Sequence, residues 1–196
     1  VIVLVASPDI APPYLIEAYG NATVLRLKAP RTKDISYFKR TVNEFFAPFA
    51  MRRHLKQSPL ANVQYEAIIW YSPTIFLGPF VKTLKRLSGC PSYLIIRDIF
   101  PQWAADMGLM SRGIAYQILS RVARFQYSVA DVIGVQTPGN LAFLQSDDAG
   151  HHRARLEVLH NWLGAPADTP GSINISQTKL SGRRVFVYAG NMGVAQ

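Results

Sequence analysis

Residues 93–103, YLIIRDIFPQW, decide how the rest of the chain is read. The first four form a short apolar run of the kind that fills the middle of a parallel sheet covered on both faces. The run ends in two opposite charges, Arg97 and Asp98. Phe100-Pro101 then stops the strand, because proline lacks the N–H that a ladder needs. In open α/β sheets, ligands bind in the crevice beyond the carboxyl ends of the strands. Arg97 and Asp98 are therefore the first candidates for contact with a ligand.

The same pattern repeats on either side. Upstream, residues 67–71 (AIIWY) read as a strand ending in Ser72-Pro73, and residues 75–87 read as a helix stopped by Gly89. Downstream, a helical turn is expected over 102–107. A full helix over 114–129 carries Ile114, Ile118, Val122, Phe125 and Val129 on one apolar stripe. Residues 131–135 (DVIGV) form the next strand. Thr137-Pro138 supplies an N-cap and an N1 proline for a helix over 139–145. A further strand follows over 155–159. Strands alternating with helices predict an α/β fold, a Rossmann-like doubly wound parallel sheet.

The front of the chain is less regular. Residues 1–6 (VIVLVA) and 22–27 (ATVLRL) read as neighbouring buried parallel strands. The prolines and glycine between them disfavour a long helix, leaving at most a short turn over 14–19. Such a link is short for a parallel crossover. Residues 37–57 are the most strongly helical segment, with Phe38, Val42, Phe45, Phe46 and Phe49 at i, i+4, i+7, i+8 and i+11. These phenylalanines are expected to cover the sheet, with the basic residues as a solvated rim. The alternative, an aromatic and basic face lying in a membrane interface, stays open.

Charge is concentrated. Lys and Arg number 21 against 12 Asp and Glu, a net charge of +9. Residues 26–56 alone carry nine basic groups against Asp34 and Glu44, which suits an anionic partner surface. No aromatic interleaving on a strand face points to nucleic acid. No apolar run reaches the ~18 residues of a membrane span. The single cysteine, Cys90, forms no internal disulfide and fits a reducing compartment. The histidines show no ligand spacing, so no metal site is expected.

Residues 163–183 have the composition of a linker. Residues 184–189 (RVFVYA) then read as another buried strand, followed by a loop in which Gly190 and Gly193 would let backbone N–H groups approach a diphosphate. Alone, such a glycine pair is more often a simple turn. Asp98 could serve as a general base or hydroxyl acceptor, or instead pair with Arg97 or cap the next turn.

Taken in order, RDIFPQW at 97–103, YSVADVIGVQ at 127–136, LHNWL at 159–163 and FVYAGNMG at 186–193 resemble bacterial glycosyltransferases of family 4, of GT-B fold. The likeness is to members that build lipopolysaccharide or capsule. It implies an acceptor-binding domain over 1–162, a linker over 163–183, and the start of a nucleotide-sugar-binding domain over 184–196. It also implies that the chain lacks the first strand and helix of one domain and most of the other, and would be inactive alone. Gly190, Asn191 and Gly193 match the loop that approaches the phosphates of the donor, a UDP- or GDP-sugar. Asp98 and Arg97 stand at the cleft, with Arg in the place of a histidine common in relatives. Ser72, Pro73 and Thr137 would line the same cleft. The implied activity is metal-independent transfer with retention onto a glycan acceptor carried on a lipid. Residues 26–56 would face the anionic inner surface of the cell membrane from the cytoplasm. A sugar-nucleotide 2-epimerase of the same fold and a non-catalytic basic binding module are the alternatives.

Overall fold

In the computed structural model, which describes residues 1–146, 153–161, 164, 173–187 and 190, the chain forms two units, Val1–His160 and Asn161–Gln196. The first unit is α/β, with a Rossmann-like parallel sheet flanked by helices, as the alternation predicts. Its strands are β1 (Ile2–Ser7), β2 (Tyr14–Tyr19), β3 (Ala22–Lys28), β4 (Ile68–Tyr71), β5 (Ser92–Ile96), β6 (Val132–Val135) and β7 (Arg155–Val158). Its helices are α1 (Tyr37–Leu55), α2 (Gly78–Ser88), α3 (Gln102–Asp106), α4 (Ile114–Val129) and α5 (Pro138–Gln145).

The strands form two sheets, in the orders β1-β3-β2 and β4-β5-β6-β7. β1 and β3 are parallel neighbours, as expected. Residues 14–19 are not a turn, however, but a strand antiparallel to β3. YLIEAY holds Tyr14, Ile16 and Tyr19, aromatic and β-branched residues that suit a strand, and Gly20-Asn21 supplies the hairpin turn. This hairpin removes the difficulty of the short crossover. The chain leaves β1, runs out to the far edge, and returns between the two as β3. β1 itself is an edge strand and half exposed, not fully buried, because it has one neighbour.

In the second sheet all neighbouring pairs are parallel. A strand order that advances in one direction, joined by crossovers of the usual right-handed sense, places every connecting helix on one face. The packing agrees. Val81 of α2, Ala123 and Tyr127 of α4 and Leu144 of α5 cluster with Trp70, Leu94, Ile96, Ile133 and Val135 of the strands. On the opposite face Ile69 is 74% exposed and Tyr71 is also exposed. The run at 93–96 is thus buried on alternate residues, and not on both faces as its composition suggests.

α2 joins two cores. Val81 packs with Trp70 and Leu94 in the core of the second sheet, whereas Phe80 and Leu84 pack with Leu25 and Leu27 of β3 and Met51 and Leu55 of α1. The large apolar stripes of α1 and α4 are only partly committed to these cores: on α4, Val129 is buried and Val122 packs against the core of the second sheet, while the rest of the stripe faces outward. α1 buries Ala47, Pro48, Met51 and Leu55, and Phe38 is left 79% exposed. α4 buries Ser120, Ala123, Gln126, Tyr127 and Val129, and Ile114 is 79% exposed. The expectation that the phenylalanines of α1 cover the sheet is therefore overturned. Small residues permit closer approach: a side chain at Gly78 would meet Gln126 Cα at 3.1 Å and the Phe125 ring at 3.2 Å.

The second unit, Asn161–Gln196, contributes a single 3₁₀ turn among its described residues, Ile175–Gln177, with Asn174 Oδ1 accepting from Ser176 N at 3.1 Å. The expected buried strand at 184–189 does not form over 184–187, where the backbone is irregular and Phe186 is 94% exposed. A strand is buried by a sheet, and no strand in this unit's described residues pairs with it. Residues 188 and 189 lie outside the described residues.

The amino ends of the second sheet are locked by one carboxylate. Asp131 accepts from Lys85 Nζ at 2.6 Å and from Ser92 N at 2.7 Å, and Lys85 also donates to Val129 O at 2.8 Å. Burial works against the charged form of Asp131, but the Lys85 and Ser92 hydrogen bonds and the Lys85 charge outweigh it and hold the carboxyl below its usual 3.8. Asp131 thus stabilises the fold above its ordinary value, and this is lost as pH falls through the lower folded value. Asp131→Asn is expected to cost about 1 kcal/mol at neutral pH, since the pair is partly exposed and screened. In urea titrations the difference from the parent should shrink in acid.

The middle of the sheet has a second fixed point. Tyr93 of β5 lies across Gly134 of β6, and its hydroxyl donates to Glu157 of β7 at 2.8 Å. Burial, then the Glu157 bond, pushes the Tyr93 hydroxyl up to about 12. A Cβ at residue 134 would overlap the Tyr93 hydroxyl and ring. Gly134→Ala should destabilise by about 1–3 kcal/mol, the usual effect of overpacking, and Gly134→Ala with Tyr93→Leu should recover much of it in the same titration.

Candidate functional site

Because β4 to β7 are parallel, their carboxyl ends share one edge of the sheet. The segments that leave this edge are 72–74, 97–98, 136–137 and 159–160. They include five of the residues singled out from the sequence: Ser72, Pro73, Arg97, Asp98 and Thr137. Ser72 N donates to Ile95 O at 3.1 Å and Leu159 N to Val135 O at 2.7 Å, so these exits are tied to the neighbouring strand ends.

Arg97 and Asp98 are both exposed. No hydrogen bond or ion pair holds Asp98 among the described residues, so the cap and ion-pair readings of its carboxylate are not what the structure displays. The segment after Asp98 is held firmly. Phe100 and Trp103 pack with ring centroids 6.2 Å apart. Gln102 Nε2 donates to Asp106 at 2.8 Å, Arg112 Nη2 reaches the same carboxylate at 2.9 Å, and Tyr116 OH donates to Gln102 Oε1 at 2.6 Å. The carboxylate of Asp98 is thus presented from a strand end fixed on both sides.

Two of the expected lining residues have structural duties. Thr137 Oγ1 accepts from Asn140 N at 3.2 Å, capping α5 as its sequence predicts. Ser72 Oγ donates to Thr74 O at 2.7 Å and accepts from Gln126 Nε2 at 2.6 Å. Their hydroxyls shape the edge more than they point from it. The small cleft beside the edge, lined by Phe100, Pro101, Tyr116 and Tyr127 among others, holds about 20 Å³, the space of a single water. In the other unit Gly190 is exposed. Asn191 and Gly193 lie outside the described residues, as do Trp162, Leu163, His151 and His152.

Sequence reading missed the residue that organises this edge. Gln126 is 0% exposed. Its Oε1 accepts from Leu77 N at 3.0 Å, and its Nε2 donates to Ser72 Oγ and to Thr74 O at 3.0 Å. Thr74 Oγ1 in turn donates to Glu44 of α1 at 2.8 Å. A buried amide with its donors and acceptor engaged fixes the loop between β4 and α2 against two helices. The available signal was Gln126 itself, a polar residue beside Ala123 and Tyr127 in a helix whose other charged and amide groups lie elsewhere around the turn.

No family model matches the chain. The chain is similar to WbjE of Pseudomonas aeruginosa, named as a probable glycosyltransferase, at 27% identity over 176 residues, 86% of this chain and 42% of WbjE. It is also similar to WcaI of Escherichia coli, whose name describes a colanic acid biosynthesis glycosyl transferase, at 26% identity over 193 residues, 90% of this chain and 45% of WcaI. The chain spans less than half the length of the curated relatives it matches. The similarity, which runs along most of the chain, is to glycosyltransferases.

Removing the Gln126 amide breaks three bonds at once and leaves Leu77 N without its acceptor, while Ser72 Oγ and Thr74 O keep the bond between them. Gln126→Ala is expected to cost about 2–4 kcal/mol, roughly 1 per lost bond plus the penalty for the amide N–H left unpaired. Chemical denaturation of the purified protein measures it, with Gln126→Met as the apolar control of similar length.

Proposed function

We propose that this chain belongs to a glycosyltransferase that moves a sugar from a nucleotide-diphosphate sugar to a glycan acceptor in bacterial surface polysaccharide synthesis. The observation that carries the reading is the similarity to two proteins named for glycosyl transfer over 86% and 90% of the chain. The fold supports it. An α/β sheet presents Arg97 and Asp98 at the carboxyl edge, where ligands of such sheets bind.

The finer reading assigns the chain to family 4 and the GT-B fold, with residues 1–162 as the acceptor domain, 163–183 as linker and 184–196 as the opening of the donor domain. Asp98 accepts a hydrogen bond from a sugar hydroxyl, and Arg97 contributes positive charge beside it. The edge around them is formed by Ser72, Pro73 and Thr137. The loop of Gly190, Asn191 and Gly193 approaches the diphosphate of a UDP- or GDP-sugar through backbone N–H groups, which stabilise the leaving group as charge develops. Transfer proceeds with retention and without a metal ion. The acceptor is lipid-linked, and the basic residues of 26–56 rest on the anionic inner face of the membrane. Among the described residues no helix is long and apolar enough to cross a membrane.

The test uses the complete gene product with a panel of UDP- and GDP-sugars and membrane extract as acceptor. Transfer from at least one donor is expected, with Asp98→Ala lowering kcat/KM by about 100-fold or more while the thermal midpoint stays unchanged, since Asp98 is exposed. Consumption of no donor would overturn the reading and leave a basic binding domain.

A further inference from the structure

We infer that the outward apolar faces of α1 and α4 form one membrane-inserting surface, whose partner is the acyl layer of an anionic phospholipid bilayer. This deepens the proposed membrane contact and rests on it, but not on sugar transfer.

The two helices carry the same outward pattern. Phe38, Val42, Phe45, Phe46 and Phe49 on α1, and Ile114, Ile118 and Phe125 on α4, are all exposed. Their stripes meet in an open trough of about 280 Å³, lined by Phe45, Phe49, Phe76, Val122 and Phe125, with Arg121 as its charged lining side chain. Phe45 is packed edge-on to Phe46 and to Phe76, at 5.2 and 5.9 Å between centroids. The aromatic surface is therefore ordered before anything binds it. A continuous exposed apolar surface on a folded domain marks an interaction site.

Charge selects the partner. α1, α2 and α4 together hold nine Lys or Arg and one carboxylate, Glu44. That carboxylate is already paired with Arg40 at 2.7 Å. Lys82 Nζ stands 5.2 Å from the centre of the Phe125 ring, which places a cation against one of the exposed aromatic residues. Lys85 is paired as well, with Asp131 at 2.6 Å, which leaves seven cations on these helices without a carboxylate partner among the described residues. Aromatic and aliphatic residues flanked by such cations are the composition of a surface that lies in the boundary between acyl chains and anionic headgroups.

The experiment uses the complete gene product, vesicles of phosphatidylglycerol with phosphatidylcholine, and vesicles of phosphatidylcholine alone, each also made with brominated acyl chains. Phe49→Trp and Ile118→Trp, read as fluorescence in excess of the parent protein, should shift to the blue and be quenched by brominated lipid in the anionic vesicles. Phe45→Ser with Phe49→Ser should lower vesicle partition about tenfold or more, as loss of buried aromatic area implies. Phe45→Leu with Phe49→Leu should keep most of it. Both pairs are partly exposed, so a thermal midpoint near the parent's confirms folding.

Binding to anionic vesicles with no excess quenching at either tryptophan would overturn insertion and leave the electrostatic contact standing. No binding at all would overturn both. Blue-shifted tryptophan without lipid would show that another segment or a second copy covers the surface, which also overturns the inference. Insertion without transfer from any donor sugar would uphold this inference and sink the proposed activity.

Discussion

One buried amide must be satisfied, and much of the first unit is arranged so that it is. Gln126 lies on α4, yet its three partners, Ser72, Thr74 and Leu77, belong to the loop between β4 and α2. An unpaired amide in that place would be costly, so the loop cannot drift from α4 without breaking several bonds together. The close approach needs room, which Gly78 provides. The position of α2 is set in turn, since the helix begins where this loop ends. Because α2 feeds Val81 into one core and Phe80 and Leu84 into the other, the polar contact governs how both apolar clusters are assembled.

The two edges of the β4–β7 sheet are treated differently. At the amino edge, Asp131 gathers Lys85 and Ser92 into a closed set of bonds. At the carboxyl edge the backbone is fixed, by Gln126 on one side and by the Gln102–Asp106–Arg112 contacts on the other, while the Asp98 carboxylate is left to solvent. A rigid frame around an unengaged charge is what a ligand-binding edge requires, because ordering costs are met during folding and not during binding.

Element type is legible from sequence wherever period and punctuation agree. The helix over 114–129 has the ends its pattern predicts, and Thr137-Pro138 marks the start of α5 through a cap whose chemistry is local. The failures depend on partners distant in sequence. The strand over 14–19 is obscured by the prolines before it, and its place outside β3 is a matter of topology. The strand expected over 184–189 has the composition of a core strand, but composition does not supply a sheet. Of the site, the strand-end positions of Ser72, Arg97, Asp98 and Thr137 are legible, since apolar runs stop where strands stop. The role of Gln126 is not, because nothing local tells which polar residue on a helix will meet a loop some fifty residues earlier.

The apolar stripes of α1 and α4 show a limit of a different kind. A 3.6-residue period identifies a face but carries no direction. The buried faces here are those of Ala47, Met51 and Leu55 on α1 and of Ala123, Gln126 and Tyr127 on α4, which leaves most of the large apolar residues of the stripes outside. Here that reversal has a mechanical consequence. Phe125 lines the outward trough, and Gln126, the next residue, grips the loop of Ser72 and Thr74; Phe76, from the same loop, also lines the trough. The trough and the carboxyl edge are thus two sides of one helix turn and one short loop. Any surface that seats on Phe45, Phe49 and Phe125 must fix the tilt of the strand edge at the same time, and so decide how the carboxylate of Asp98 is presented.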